Sequence, residues 1–269
     1  MKINQLFSLK NMTIIITGSN GNIGKHLCAQ FLKNEAFVFG LDLQEQSLTK
    51  HNNFNYFQCD ITDKKKLIEI KEKILKKKKK IFVLINNAAL DAPPKTNQKI
   101  NKLNSGMLEN YCEDEFDLFL KTNTKGTFLV SQIFGTIMAK QNKGGSIINI
   151  SSIYGLVSPD QSIYEYTSTK GNRFYKPIGY SVSKGAIYNM TRFMAEYWAK
   201  SNVRVNTLTL SGIENNQDEE FIKNYTQRIP IGRMASLKDI TGAIFFLSSN
   251  ASKYITGSNL IVDGGWTII

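Results

Sequence analysis

Three cysteines are too few and too scattered to build a framework. Cys28, Cys59 and Cys112 are odd in number. None of them has metal-type spacing, so neither a disulfide scaffold nor a metal site is expected. The sequence also lacks an apolar run near the roughly 18 residues needed to span a bilayer. The short apolar stretch within MKINQLFSLKNMTIIITG ends in a glycine turn and reads as a buried strand. These absences point to a reducing compartment, a cytoplasmic location and no membrane partner. Internal repeats and low-complexity linkers are missing too. At 269 residues the chain is long for one small domain and short for two. One domain over residues 1–269, with its own hydrophobic core, accounts for it.

The formal net charge of +12 raises the question of nucleic acid. Much of the excess is lysine, including the run Lys76 to Lys80. That run closes an amphipathic stretch (Leu67, Ile68, Ile70, Ile74, Leu75), where lysines complement the helix dipole and need no ligand. The acidic CEDEFD segment interrupts any continuous basic groove, and no recognisable reading motif is present. No nucleic-acid partner is expected.

Apolar, β-branched runs alternate with helix-length amphipathic segments. Strands are expected at Thr13–Thr17, Ala36–Leu41, Phe54–Phe57, Ile81–Ile85, Ser146–Ile150, Val203–Leu210 and Asn259–Val262. Helices are expected at Gly24–Lys33, Asp63–Lys78, Glu115–Lys140, Ser181–Lys200 and Leu237–Leu247. Strands that are apolar throughout belong in a parallel sheet covered on both faces. The alternation predicts a single Rossmann-like, doubly wound α/β fold of about seven strands. Two polar segments break the rhythm, residues 92–110 and 158–179. Each follows a strand's carboxyl end, where open α/β sheets bind ligands, so both read as substrate loops.

The first strand runs into Thr17-Gly18-Ser19-Asn20-Gly21-Asn22-Ile23-Gly24 and then a helix. Glycines there permit a tight turn, let backbone approach a pyrophosphate, and let helix pack on strand. At the end of the second strand, Asp42 can accept both ribose hydroxyls and would repel a 2′-phosphate. No lysine or arginine adjoins it, which favours NAD over NADP.

With these pieces go Cys59-Asp60-Ile61, Asn86-Asn87-Ala88-Ala89, Asn123 in NTKG, and Ile148-Asn149-Ile150-Ser151-Ser152. They are followed by Tyr180-Ser181-Val182-Ser183-Lys184, Arg204-Val205-Asn206, Thr256-Gly257 and Val262-Asp263-Gly264-Gly265. In this order the set resembles the short-chain dehydrogenase/reductase family over about residues 10–265. The resemblance implies Asn123, Ser152, Tyr180 and Lys184 as catalytic residues, with Ser152 bonding the reacting oxygen. It also implies that Lys184 holds the nicotinamide ribose and that Asn123 anchors a proton-relaying water. Cofactor contacts would come from Gly18, Asn20, Gly21, Asn22, Ile23, Gly24, Asp42, Asp60, Ile61, Asn87, Ala88, Tyr180, Lys184 and Ile213.

Some residues depart from the family's pattern. The glycines fall at Gly18, Gly21 and Gly24, a spacing similar to that of the extended, sugar-nucleotide branch, but the chain has no room for that branch's extra domain. Ala89 stands where glycine is usual, and Ser211-Gly212 replaces Pro-Gly, which weakens the expected contact at Ile213. The ISSIYG segment, the long Ser–Tyr insertion and the closing DGGW are similar to oxidoreductases of bacterial surface-glycan pathways.

Tyr180 and Lys184 lie at i and i+4 on one helix face. An ammonium beside the phenol is expected to lower its pKa toward working pH. Tyr166-Thr167-Ser168-Thr169-Lys170 has the same spacing and lies nearer Ser152, as is usual in the family. Gly171 and Pro177 follow it, however, so no long helix starts there. Tyr180 opens an unbroken amphipathic run and is the expected acid/base, while Tyr166 reads as a loop aromatic touching substrate.

The leading function is NAD-dependent interconversion of a secondary alcohol and a ketone. Loops carrying Tyr164, Tyr166 and Tyr175 suit a hydroxylated, sugar-like substrate, and a homodimer or homotetramer is the expected assembly. The alternative is a catalytically silent NAD-binding regulator or scaffold. If Asp42 meets the ribose, NAD should bind at least about tenfold more tightly than NADP, and Asp42→Ala should shrink that preference. Equal affinities of the unmodified protein by calorimetry would contradict this assignment.

Overall fold

The computed structural model describes residues 2–92, 106–168 and 173–269. The short helix α1 (Ile3–Leu6) precedes β1 (Thr13–Thr17), α2 (Asn22–Lys33), β2 (Phe37–Asp42), β3 (Phe54–Gln58), α3 (Lys64–Lys77) and β4 (Val83–Asn86). Then come α4 (Glu113–Phe119), a π-helical segment (Leu120–Gly126), α5 (Thr127–Lys140) and β5 (Gly145–Ser152). The chain continues through α6 (Ile178–Trp198), β6 (Val203–Leu210), α7 (Glu219–Thr226), α8 (Leu237–Ser248) and β7 (Asn259–Val262). The seven strands form one sheet in the order β3-β2-β1-β4-β5-β6-β7, and every pairing is parallel.

The alternation of side chains along each strand builds two cores. Ile15, Phe39, Leu84, Ile147 and Val205 face α3, α5 and α6 through Leu67, Ile70, Phe134, Met138 and Trp198. Ile14, Ile16, Val38, Ile85, Ile148 and Leu208 face α2 and α8 through Leu27, Phe31, Ile240 and Ile244. Both faces are apolar because both are covered. This is the doubly wound architecture read from the sequence.

One predicted helix is not continuous. Glu115–Lys140 is divided by the π-helical turn that carries Asn123, where Gly126 lies so close to Ile61 that an added Cβ would stand 2.6 Å from its Cδ1. α7 was not expected, because only Phe221 and Tyr225 of its short span are buried.

Polar side chains also cross the sheet. The Asn86 amide donates to Asn149 Oδ1 at 2.7 Å and to Ser131 Oγ at 2.8 Å. The Asn149 amide donates to Thr191 Oγ1 at 2.9 Å, and Thr207 joins Thr191 at 2.9 Å. This buried chain ties β4, β5 and β6 to α5 and α6, and it holds only while each link finds its partner. Asn149→Ala orphans groups on both sides and is expected to cost about 2–4 kcal/mol. That should lower the thermal midpoint by roughly 5–10 °C, and calorimetry showing no change would contradict it.

Candidate functional site

The turn after β1 is fastened to the end of β4. Thr17 Oγ1 accepts from the amides of Asn87 and Ala88 at 3.1 and 3.0 Å, and the Asn87 side chain donates to the carbonyls of Thr17 and Gly18. Gly18 has φ +66°, and a Cβ there would stand 2.9 Å from Ala88 Cα. At Gly24 a Cβ would meet the Gly18 carbonyl oxygen at 2.0 Å, so α2 rests directly on the turn. Gly21 caps α2 without any side-chain bond, leaving its first amides free to face an anion. The Asp42 carboxylate accepts from the amides of Asn20 at 2.9 Å and Gln44 at 3.3 Å.

A cavity of about 930 Å³ runs along the carboxyl edge of the sheet. Of the sequence-derived cofactor residues, Gly18, Gly21, Asn22, Ile23, Asp42, Asp60, Ile61, Asn87, Ala88, Tyr180, Lys184 and Ile213 line it. Asn20 and Gly24 do not. The Asn20 side chain turns away to Gln44 and the Gln46 carbonyl, and Gly24 is the packing glycine. An extended dinucleotide fits this site: a glycine turn that a Cβ would fill, an uncapped helix N-terminus, and a carboxylate at the ribose end.

At the other end of the cavity stand Ser152, Tyr180 and Lys184. α6 starts right after Pro177, which serves as its N-cap, so Tyr180 sits in the first turn with Lys184 one turn on. The helix is held to β5 at several points. Lys184 Nζ donates to the Ile150 carbonyl at 3.1 Å, Ser151 Oγ donates to the Lys184 carbonyl at 2.9 Å, and Tyr188 donates to the Ser152 carbonyl at 2.9 Å. The sequence expectation for the phenol differs from what burial produces. Burial pushes Tyr180 well above the usual phenol range and Asp91 adds to this, while a bond with Ser152 opposes it. Lys184 Nζ lies 6.0 Å from the ring centroid, and its own burial lowers its pKa to about 8.

Asn123 stands behind the cavity wall. Its amide donates to the Leu90 carbonyl at 3.1 Å and to Ser183 Oγ at 2.9 Å, and its oxygen accepts from the Leu90 amide at 2.7 Å. It therefore links the end of β4 to α6. Tyr166 is also displaced from its expected role. It does not line the cavity; its hydroxyl donates to Asp218 at 2.9 Å and braces the start of α7. Lys170, the other half of that unit, lies outside the described residues, as does most of the 92–110 loop.

The same cavity is also lined by Tyr154, Tyr164, Phe221, Tyr225 and Met234, with Asn215, Asn216, Gln217, Asp218, Asp91 and Lys176 as polar groups. Sequence reasoning missed Asp91 and Lys176. The available signals were an aspartate just past the Asn-Asn-Ala-Ala motif and a lysine beside the proline that starts α6. Burial raises Cys28 and Cys59 to about 12, so neither thiol is a nucleophile at neutral pH. Among the described residues, no three His, Cys, Asp or Glu side chains gather, and no helix is long and apolar enough to cross a membrane.

Residues 18–267 match the family described as enoyl-(acyl carrier protein) reductase. The chain belongs to the short-chain dehydrogenase/reductase family and is an NAD(P)-dependent oxidoreductase that interconverts alcohol and ketone groups. It is 32% identical to the post-translational flagellin modification protein A of Campylobacter coli, covering 96% of this chain and 99% of that protein. It is 29% identical to an NAD-dependent glycerol dehydrogenase of Listeria innocua, covering 97% of this chain and 96% of that one. A short-chain dehydrogenase of Leptospira borgpetersenii, solved with bound NAD+, superposes with a TM-score of 0.85 at 33% identity, covering 99% of this chain and 96% of that one.

Proposed function

We propose that the chain, one domain over residues 1–269, is an NAD-preferring dehydrogenase of a polar, sugar-like alcohol, with Tyr180 as its proton-transfer residue. The observation that carries this reading is one continuous cavity with Asp42 at one end and Tyr180, Ser152 and Lys184 at the other. Asp42 has no lysine or arginine beside it, and Lys176 and Lys184 are the cations among the described lining residues. The naming of the Listeria relative and the NAD+ in the Leptospira structure agree with this preference. The lining around Tyr180 mixes tyrosines with amides and carboxylates, which suits hydroxyl groups, and the flagellin-modification relative supports a place in carbohydrate biosynthesis.

In this reading Ser152 donates a hydrogen bond to the reacting oxygen, and the Tyr180 phenolate takes the hydroxyl proton during oxidation or the phenol returns it during reduction. Lys184, whose Nζ donates to the Ile150 carbonyl, would hold the nicotinamide ribose, and its ammonium favours the phenolate. Asn123 holds β4 against α6 and so fixes both walls. When bound, the nicotinamide exchanges the hydride.

A panel of polyols and sugars assayed at 340 nm tests the substrate class, and turnover of none of them would favour the silent regulator. Tyr180→Phe should cut turnover by about a hundredfold or more while sparing NAD affinity. Tyr166→Phe should retain turnover, and the reverse pattern would move the active site.

The reading places the protein in the cytoplasm as a homo-oligomer. α6 exposes Val182, Phe193 and Tyr197, and Leu118 of α4 and Phe128 of α5 are also exposed; Phe193 and Tyr197 stack at 6.2 Å. Apolar surface on long helices is suited to isologous pairing. Light scattering at micromolar concentration should give a dimer or tetramer, and a monomer would count against this.

A further inference from the structure

A second ammonium stands closer to the centre of the Tyr180 ring than Lys184 does. Lys176 Nζ lies 4.4 Å from the centroid of the Tyr180 ring. Its side chain is 7% exposed, and burying an ammonium costs several kcal/mol unless it is well partnered. Lys176 donates to Asp91 Oδ1 at 2.5 Å and to the Ala92 carbonyl at 3.1 Å. Gln161 fixes its backbone on both sides, accepting from the Lys176 amide at 2.9 Å and donating to the Lys176 carbonyl at 3.2 Å. Pro177 follows at once as the cap of α6. Asp91 is anchored in turn, since its Oδ1 also accepts from the Ala92 amide at 2.8 Å. Both charges are thus preorganised at the reacting end of the cavity, and neither belongs to the set the family pattern supplies.

We propose that Asp91 and Lys176 are positioning residues that set the proton affinity of Tyr180, the Lys176 ammonium favouring the phenolate and the Asp91 carboxylate opposing it. The proposal rests on Tyr180 as the proton-transfer residue. The other groups facing this ring are Lys184 from α6, and Ser152 and Tyr154 from the end of β5 and the turn after it, with Tyr225 from α7. Tyr164 faces it from the 161–167 turn. From α4, Phe119 meets the ring edge-on at 6.1 Å, while the Glu115 carboxylate on that helix engages Tyr111. Asp91 is the carboxylate whose charge raises the pKa of the Tyr180 phenol. The Asp91 side chain is 56% exposed; desolvation pushes its carboxyl up, but Lys176, the Ala92 amide and Lys184 together hold it below the usual carboxylate range. It is therefore charged at neutral pH. The pair acts on Lys184 in the same sense, Asp91 raising and Lys176 lowering its pKa.

Charge and packing make opposite predictions for the two halves of this pair. A cation favours the phenolate, so Lys176→Met should raise the pH at which alcohol oxidation switches on. Asp91→Asn keeps a hydrogen-bond acceptor and removes the opposing charge, so it should lower that pH. Each limb of the pH profile of kcat should move by about one pH unit, in opposite directions. Lys176→Arg should stay near the wild-type profile. A strap that only packs would lose thermal midpoint in both variants and leave the limb in place. Limbs that stay put, or that move the same way in both variants, overturn the proposal. If Lys176→Met does not fold, Asp91→Asn decides alone, and the absence of a downward shift is fatal. A Tyr180→Phe enzyme that still turns over would instead refute the reading underneath.

Discussion

Parallel pairing imposes a direction on everything else. Seven strands running the same way deliver seven carboxyl ends to one edge, and each return must cross a face of the sheet. That edge collects the turn after β1, Asp42, Asp60, Asn87, Ser152 and Ile213 from strands far apart in sequence. The crossing helices cover both faces, so the strand interiors are mostly apolar and most polar groups are left for the rim. One buried exception is the Asn86–Asn149–Thr191–Thr207 chain, which ties β4, β5, β6 and α6 together.

The sequence pattern revealed strongly what is local. Thr13–Thr17, Val203–Leu210 and Asn259–Val262 were legible to the residue because each is rich in β-branched residues and bounded by turn chemistry. The glycine turn and the i, i+4 placement of Tyr180 and Lys184 on α6 were legible for the same reason, since short sequence spacing fixes both. Pro177 marked the start of α6 and so separated Tyr180 from Tyr166.

What depends on distant partners could not be read. The π-helical turn in 120–126 carries no breaker except Gly126, and its widening is matched to Ile61 across the fold. Lys176 and Asp91 come from separate loops, and nothing in either loop announces the other. The surroundings of the tyrosine are non-local for a related reason. Helical spacing places Lys184 one turn from Tyr180, whereas burial and the carboxylate of Asp91 act on the phenol through space.

The division between frame and loops has an evolutionary meaning. Ser152, Tyr180 and Lys184 sit on β5 and the first turns of α6, two elements held together by side-chain bonds to the Ile150, Ser152 and Lys184 carbonyls. Much of the wall around Tyr180 comes from Tyr154, Tyr164 and Lys176 in the loop between β5 and α6 and from Phe221 and Tyr225 of α7. Recognition can therefore drift, or be exchanged with that of a relative, while the proton and hydride chemistry keeps its geometry. A scaffold of this kind can acquire a new substrate without first losing the old reaction.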